Sequence, residues 1–296
     1  MRSMVLPDFI CPGAAKAGTT SLYEILVQHP DVFLSDVTKE SHFFDYDTNY
    51  EKGLEWYSST FFKNYKNEQT VGDITPLYMF LPQAAERIHK DLGSKMKFIF
   101  MLRDPVERAY SQYKFNLKRS YEKENFVNAI RLEPERIKHD FFHHVHYSYT
   151  GRGLYAKQIK HFLKYFPKEQ MLFVLFEKDF MEQKQQTVSA ILDFLNLAPA
   201  SLSIDSHANP TAMPKSMLLN EIIYNQDGIR RIARKMVGSV ELRRKLFKFI
   251  RSKNEKQVTF EKIAPEVRKK MIEQYFKPDI HELEKLLDRD LSIWLK

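Results

Sequence analysis

Three short apolar runs mark the chain, and none of them alternates with polar positions. Asp8-Phe9-Ile10-Cys11 lies between Pro7 and Pro12. Lys97-Phe98-Ile99-Phe100-Met101-Leu102 ends at Arg103, and Met171-Leu172-Phe173-Val174-Leu175-Phe176 follows a helical stretch. A strand covered on both faces reads this way, whereas a strand with one wet face alternates. Elsewhere the apolar positions return at helical spacing. Leu22, Ile25 and Leu26 share one side of a helix over Thr19 to Gln28, which stops before Pro30. The same spacing predicts helices over Val106 to Lys118, Leu154 to Phe166, 216–250 and 264–288, with Leu291 to Leu295 closing the chain. Asp104 suits the N-cap of the helix after the second strand, and Pro105 its first position. Residues 197–215, with Pro199, Pro210 and Pro214, read as a loop. Strands alternating with helices predict an α/β fold with a central parallel sheet flanked by helices. Ligands of such sheets sit at the carboxyl ends of the strands. No linker interrupts the pattern, so one domain is expected over residues 1–296.

Composition narrows this picture. A chain of 296 residues that is 43% hydrophobic and 14% aromatic has enough apolar mass for a sizeable core, which excludes general disorder. Its one cysteine, Cys11, sits in an apolar run. It is expected to be core packing rather than a nucleophile, and it excludes an internal disulfide framework. The formal net charge of +8 points to an anionic partner without saying which. The N-terminal residues show no apolar leader, and no run is long enough to span a bilayer. A cytoplasmic protein without a transmembrane segment is therefore expected.

The candidate chemistry lies at the strand ends. Gly13-Ala14-Ala15-Lys16-Ala17-Gly18-Thr19-Thr20-Ser21 follows the first strand and opens a helix. There backbone N–H groups and a helix N-terminus cradle phosphate. Lys16 supplies a point charge, and Thr19, Thr20 and Ser21 supply hydroxyls. The two glycines have the separation found in nucleoside-triphosphate loops, but Thr19 holds the lysine position and the lysine stands upstream. Leu102 is followed by Arg103, where such proteins place an acidic metal ligand. The loop resembles a P-loop without its magnesium apparatus. The second strand ends in Arg103-Asp104-Pro105-Val106-Glu107-Arg108-Ala109-Tyr110-Ser111, which brings a guanidinium suited to bidentate phosphate binding.

Lys16-Ala17-Gly18-Thr19-Thr20-Ser21-Leu22 resembles the 5′-phosphosulfate loop of sulfotransferases that use 3′-phosphoadenosine 5′-phosphosulfate (PAPS). The Arg103 to Ser111 segment is similar to the 3′-phosphate motif of the same family. The resemblance implies a P-loop-like sulfotransferase fold. It implies donor binding by Lys16, Ala17, Gly18, Thr19, Thr20, Ser21, Arg103 and Ser111, with Lys215 as a further contact. It also implies release of 3′-phosphoadenosine 5′-phosphate and no metal requirement. Thr38-Lys39-Glu40-Ser41-His42-Phe43-Phe44-Asp45 resembles a segment of the heparan sulfate type and its bacterial relatives, in which the glutamate is the general base. That role falls on Glu40. A histidine fills it in another branch of the family, so His42 stands beside Glu40 as a candidate. Lys16 is expected to stabilise charge on the leaving phosphate.

Gly72-Asp73-Ile74-Thr75-Pro76-Leu77-Tyr78 matches a family segment that carries a lysine where Ile74 stands, and Lys39 is expected to replace it. Phe43 is expected in the core or the acceptor pocket wall. Tyr155, in Arg152-Gly153-Leu154-Tyr155, is expected to line that pocket. Phe141 to His146 is expected to form a mobile loop over it rather than a metal site. The basic stretches at 230–235 and 243–251 are expected to be a solvated face. The expected acceptor is a hydroxyl or amine of a small molecule, glycan or glycolipid, with no nucleic-acid partner. Two other readings are a P-loop kinase or NTPase and a non-catalytic polyanion-binding module.

Overall fold

The computed structural model describes residues 4–204, 212–214, 255–257 and 260–296. Lys215 and the basic stretches at 230–235 and 243–251 lie outside the described residues. Two compact units emerge from the packing. The first comprises Met1–Arg108, Gly151–Ser206 and Met271–Lys296, and the second Ala109–Thr150 and His207–Lys270. The chain passes from one to the other more than once, so neither is a contiguous stretch.

The first unit holds a five-stranded parallel sheet in the order β2-β3-β1-β4-β5. Its strands are β1 (Phe9–Gly13), β2 (Val32–Leu34), β3 (Thr70–Ile74), β4 (Lys97–Leu102) and β5 (Met171–Leu175). The sheet is flanked by helices, among them α1 (Thr19–Leu26), α3 (Gly53–Phe61), α4 (Pro82–Leu92), α8 (Tyr155–Leu163) and α9 (Lys184–Leu195). Phe9, Ile10 and Cys11 of β1 and Phe98 to Leu102 of β4 have no exposed surface. Burial on both faces is why these runs do not alternate. β4 has the bounds its sequence predicts, while β1 runs two residues further, to Gly13.

β1 is the central strand, with β3 on one side and β4 on the other. The strand order reverses there, so the crevice for a ligand opens where the chain leaves β1 and β4. The β1–β4 register shifts between Ile10 and Gly13, where Ile10 faces Phe98 but Gly13 faces Phe100. The extra residue turns the chain away from the ladder just before the phosphate loop.

The C-terminal part of this unit contains a wide turn, Ile272–Phe276, and the helix Lys277–Leu287 that follows it. Of the preceding helix, Pro265–Met271, only Met271 belongs to this unit. A 3₁₀ turn, Ser292–Leu295, carries the buried Trp294. Arg289 grips the Asp179 carboxylate through two nitrogens at 2.7 and 2.6 Å.

The second unit contains most of α5 (Pro105–Lys118), with α6 (Phe126–Arg136) and α7 (Phe141–Tyr147). A two-stranded antiparallel ribbon, β6 (Ala212–Pro214) with β7 (Glu255–Gln257), also belongs here. Buried Glu122 organises this unit. It accepts from Arg136 and the Tyr149 hydroxyl, each at 2.7 Å, and from two main-chain N–H groups. The Phe141 to His146 stretch is a helix and not the expected loop. The Asp140 side chain accepts from His143 N at 2.8 Å and so caps it.

Candidate active site

Gly18 starts the site. It adopts φ +90°, and a Cβ built there would lie 2.7 Å from the Phe176 ring. Only glycine fits both the left-handed backbone and that gap. The turn it makes opens α1, whose first turn has no side-chain cap and no acidic residue. Its leading N–H groups are therefore not supplied with a local acceptor, which suits a phosphate. Within the loop Ala17 and Thr19 are buried, Lys16 and Ser21 are half-buried, and Thr20 is exposed.

Arg103, at the end of β4, reaches this loop. Its Nη1 donates to the Lys16 carbonyl at 3.1 Å. The two strand-end motifs therefore meet, as the reading of one bound nucleotide requires. The guanidinium lies over the Phe176 ring at 5.1 Å, and its Nε is buried with no hydrogen-bond partner among the described residues. Glu177 flanks it at 3.9 Å while accepting from Asp104 N at 3.1 Å. The Asp104 carboxylate caps α5 by accepting from Val106 N and Glu107 N at 2.9 and 3.0 Å. Ser111 lies two turns along α5, in the second unit.

Tyr155 does not line an open pocket. It is buried, and its hydroxyl donates to the Arg103 carbonyl at 2.8 Å, with Trp294 packed at 6.0 Å. Its job is to hold the end of β4. Phe43 is likewise fully buried and stacks on Tyr57 at 4.4 Å, so it belongs to the core and has no surface for an acceptor. In both cases the aromatic ring is spent on packing under the site. Cys11 is core as expected, and burial pushes its thiol up to about 12.

The segment between these motifs brings four charged groups together. Lys39 Nζ lies 3.2 Å from Glu40 Oε1 and 3.3 Å from Thr19 Oγ1, so it links the glutamate to the start of α1. His42 Nε2 lies 3.3 Å from Glu40 Oε2, and its Nδ1 lies 2.7 Å from Asp45 Oδ2. His42 has φ 50°, a left-handed turn that returns its ring toward Glu40. Tyr46 stacks on that ring at 4.7 Å. Burial pushes the Glu40 carboxyl up, but the His42 hydrogen bond and the Lys39 charge outweigh it and hold the group at about 2. Burial pulls His42 down, but the bonds to Asp45 and Glu40 outweigh it and raise the imidazole to about 10. At neutral pH the site thus presents an ionised carboxylate between two cations. Arg152, buried before α8, adds a further guanidinium coupled to Glu40.

A buried carboxylate beneath, Asp73, fixes this segment. Ser41 Oγ and the Tyr57 and Tyr78 hydroxyls meet its Oδ2 at 2.7, 2.7 and 3.0 Å, and Thr75 donates to Oδ1 at 2.6 Å. Ile74 is buried, and with Lys39, Ser41 and Asp73 it lines one small closed cavity. Asp45, Asp73, Glu177 and Arg152 were not singled out from sequence. Asp45 ends the motif that contains Glu40, which was the available signal; Asp73 becomes visible only through tertiary contacts.

A pH test follows from His42. Its folded value, about 10, exceeds the ordinary 6.5, so the stability it supplies is complete below about pH 6.5. That stability is lost as pH rises through about 10. Melting temperatures measured from pH 6 to 10.5 are expected to fall more steeply for the wild type than for His42→Gln. Parallel curves would show that His42 holds no such proton.

A glycine-turned helix start at a strand end, an arginine reaching it and a carboxylate beside it are parts that suit a group-transfer enzyme. Residues 6–221 match the sulfotransferase domain, and the chain belongs to the sulfotransferase family. It is 30% identical to heparan sulfate glucosamine 3-O-sulfotransferase 5 of Mus musculus, over 75% of this chain and 62% of that protein. It is 34% identical to the membrane-associated sulfotransferase kil1 of Dictyostelium discoideum, over 46% of this chain and 28% of that protein. A crystal structure of a sulfotransferase from Alicyclobacillus acidocaldarius superposes with a TM-score of 0.67 at 26% identity, covering 99% of this chain and 100% of that one. The chain spans under two thirds of the length of these curated relatives.

Family membership removes the kinase and the non-catalytic module as readings. It also corrects the expectation of a cytoplasmic protein, since a relative is membrane-associated by name. One cysteine forms no internal disulfide in any compartment, so the cysteine count carried no information about location. Among the described residues no helix is long and apolar enough to cross a membrane.

Proposed function

We propose that this chain transfers a sulfuryl group from PAPS to a hydroxyl of a carbohydrate acceptor, with Glu40 as the general base. The observation that carries this reading is the shared loop. Arg103 touches it from β4, and Lys39 ties it to the Glu40 carboxylate. The residues present fit the donor. An uncapped helix start, Lys16 and the unfilled Nε of Arg103 are cationic or N–H donors suited to phosphate and sulfate oxygens. When bound, the donor supplies a sulfuryl group on a phosphate leaving group.

The rest is the work of the chain. Glu40, ionised and acceptor-only, takes the proton of the attacking hydroxyl. His42 keeps its own proton and orients Glu40 through Nε2, while Asp45 steadies the ring from the other side. Lys16 and the amides of the α1 start stabilise charge on the leaving phosphate. The names of the relatives support a sugar hydroxyl as acceptor.

The test is incubation with labelled PAPS and a panel of oligosaccharides in the presence of EDTA, read by mass spectrometry. Sulfated product is expected, with competition by 3′-phosphoadenosine 5′-phosphate. Arg103→Ala is expected to weaken binding of that nucleotide roughly 10- to 100-fold by removing a charge-assisted contact. Phosphoryl transfer from ATP–magnesium, with no sulfated product from PAPS, would overturn the assignment.

A further inference from the structure

Lys39 touches both halves of the proposed reaction. Its ammonium has three N–H donors, and two have partners among the described residues, Thr19 Oγ1 at 3.3 Å and Glu40 Oε1 at 3.2 Å. Its side chain is 19% exposed and that of Glu40 38%, so solvent screens the pair in part. Thr19 is the first residue of α1, at the phosphate end. Ile74 of β3, which lines the same small cavity, brings no charge there.

The charges around the pair are few. Glu40 is faced by His42 from its own segment and by Arg152 from the turn before α8. Around Lys39, β1 contributes the neutral thiol of Cys11 and β3 the carboxylate of Asp73. His42 and Arg152 steady Glu40, and Lys39 makes the contact with Thr19 at the start of α1.

Resting on the proposed function, we infer that Lys39 couples proton removal at Glu40 to stabilisation of the leaving nucleotide. Before transfer, much of the Lys39 charge is neutralised by Glu40. As the acceptor oxygen bonds to sulfur, its proton passes to Glu40 and the carboxylate loses its charge. The bond from sulfur to the bridging phosphate oxygen breaks, and its electron pair stays on that oxygen. The Lys39 ammonium, no longer neutralised, then acts on the negative charge that has appeared there. The two events assist each other through one side chain, with no further reactant.

Binding alone tests this, because Glu40→Gln imitates the protonated base. Affinity for 3′-phosphoadenosine 5′-phosphate is measured by calorimetry, without acceptor, for the wild type, E40Q, K39M and K39M/E40Q. Thermal melts check that each is folded, with K39Q replacing K39M should the latter fail to fold. E40Q is expected to tighten binding about tenfold when Lys39 is present and only about twofold when it is absent. The twofold part is removal of direct repulsion by the Glu40 charge. Equal fold-changes in the two backgrounds would overturn the coupling. A wild-type protein that does not bind the nucleotide at all would instead overturn the proposed function.

Discussion

Exchange of Glu40 for glutamine is expected to lower kcat by roughly 10²- to 10⁴-fold, the range of a lost general base. The amide has the shape of the carboxylate but no affinity for the acceptor proton. Nucleotide binding survives the change, which separates loss of chemistry from loss of the site. The same experiment decides between the two candidates that the Glu-x-His spacing left open. His42 sits 2.7 Å from Asp45 and 3.3 Å from Glu40, and these partners raise it to about 10. An imidazolium has no lone pair with which to accept a proton. His42→Gln is therefore expected to cost less than Glu40→Gln. Because Glu40 is held at about 2, below the ordinary 4.5, the acid limb of the wild-type rate profile is expected below pH 4.5. A larger loss in the histidine variant, with an acid limb near neutrality, would transfer the role to His42.

The second large effect is on folding. Asp73→Ala is expected to destabilise the protein by about 3–5 kcal/mol, the cost of breaking a buried charged network from one side. Asp73 is 4% exposed, and four hydroxyls converge on it. Without the carboxylate they stay buried with too few acceptors. Tyr57→Phe removes one of those hydroxyls and leaves the hub, so about 1 kcal/mol is expected there. Urea unfolding measures both. The two variants unfolding at the same denaturant concentration would refute the hub. Activity of Asp73→Ala is expected to fall even under conditions where the protein stays folded. Ser41 lies between Lys39-Glu40 and His42, and Tyr78, another Asp73 partner, receives Phe43 N at 3.1 Å.

The central strands and the start of α5 were legible because their causes are local. An unbroken apolar run gave β4 its observed ends, and Asp104-Pro105 marked the start of α5. β2 and β3 were not legible as strands. Val32–Leu34 is three residues long, and Thr70–Ile74 carries a glycine and a buried aspartate. Gly72 is tolerated because Phe9 of β1 fills the space beside it, a contact between segments far apart in the chain. The helix α7 was also legible in principle, since Asp140 stands at its N-cap. Motif spacing did not say which way Phe43 and Tyr155 face. Packing decides that, and it turned both rings inward. The left-handed turn at His42, which joins it to Glu40, also has no sequence signature, since a non-glycine residue with positive φ is uncommon.

The ring of Phe176 fills the notch that Gly18 leaves and also underlies the Arg103 guanidinium. A bulkier residue at 18 needs a smaller one at 176, and a smaller one at 176 withdraws the platform beneath the arginine. A smaller residue at 176 makes room at 18 without relieving the φ of +90° there, so a larger residue at 18 costs the arginine its support and keeps the backbone strain.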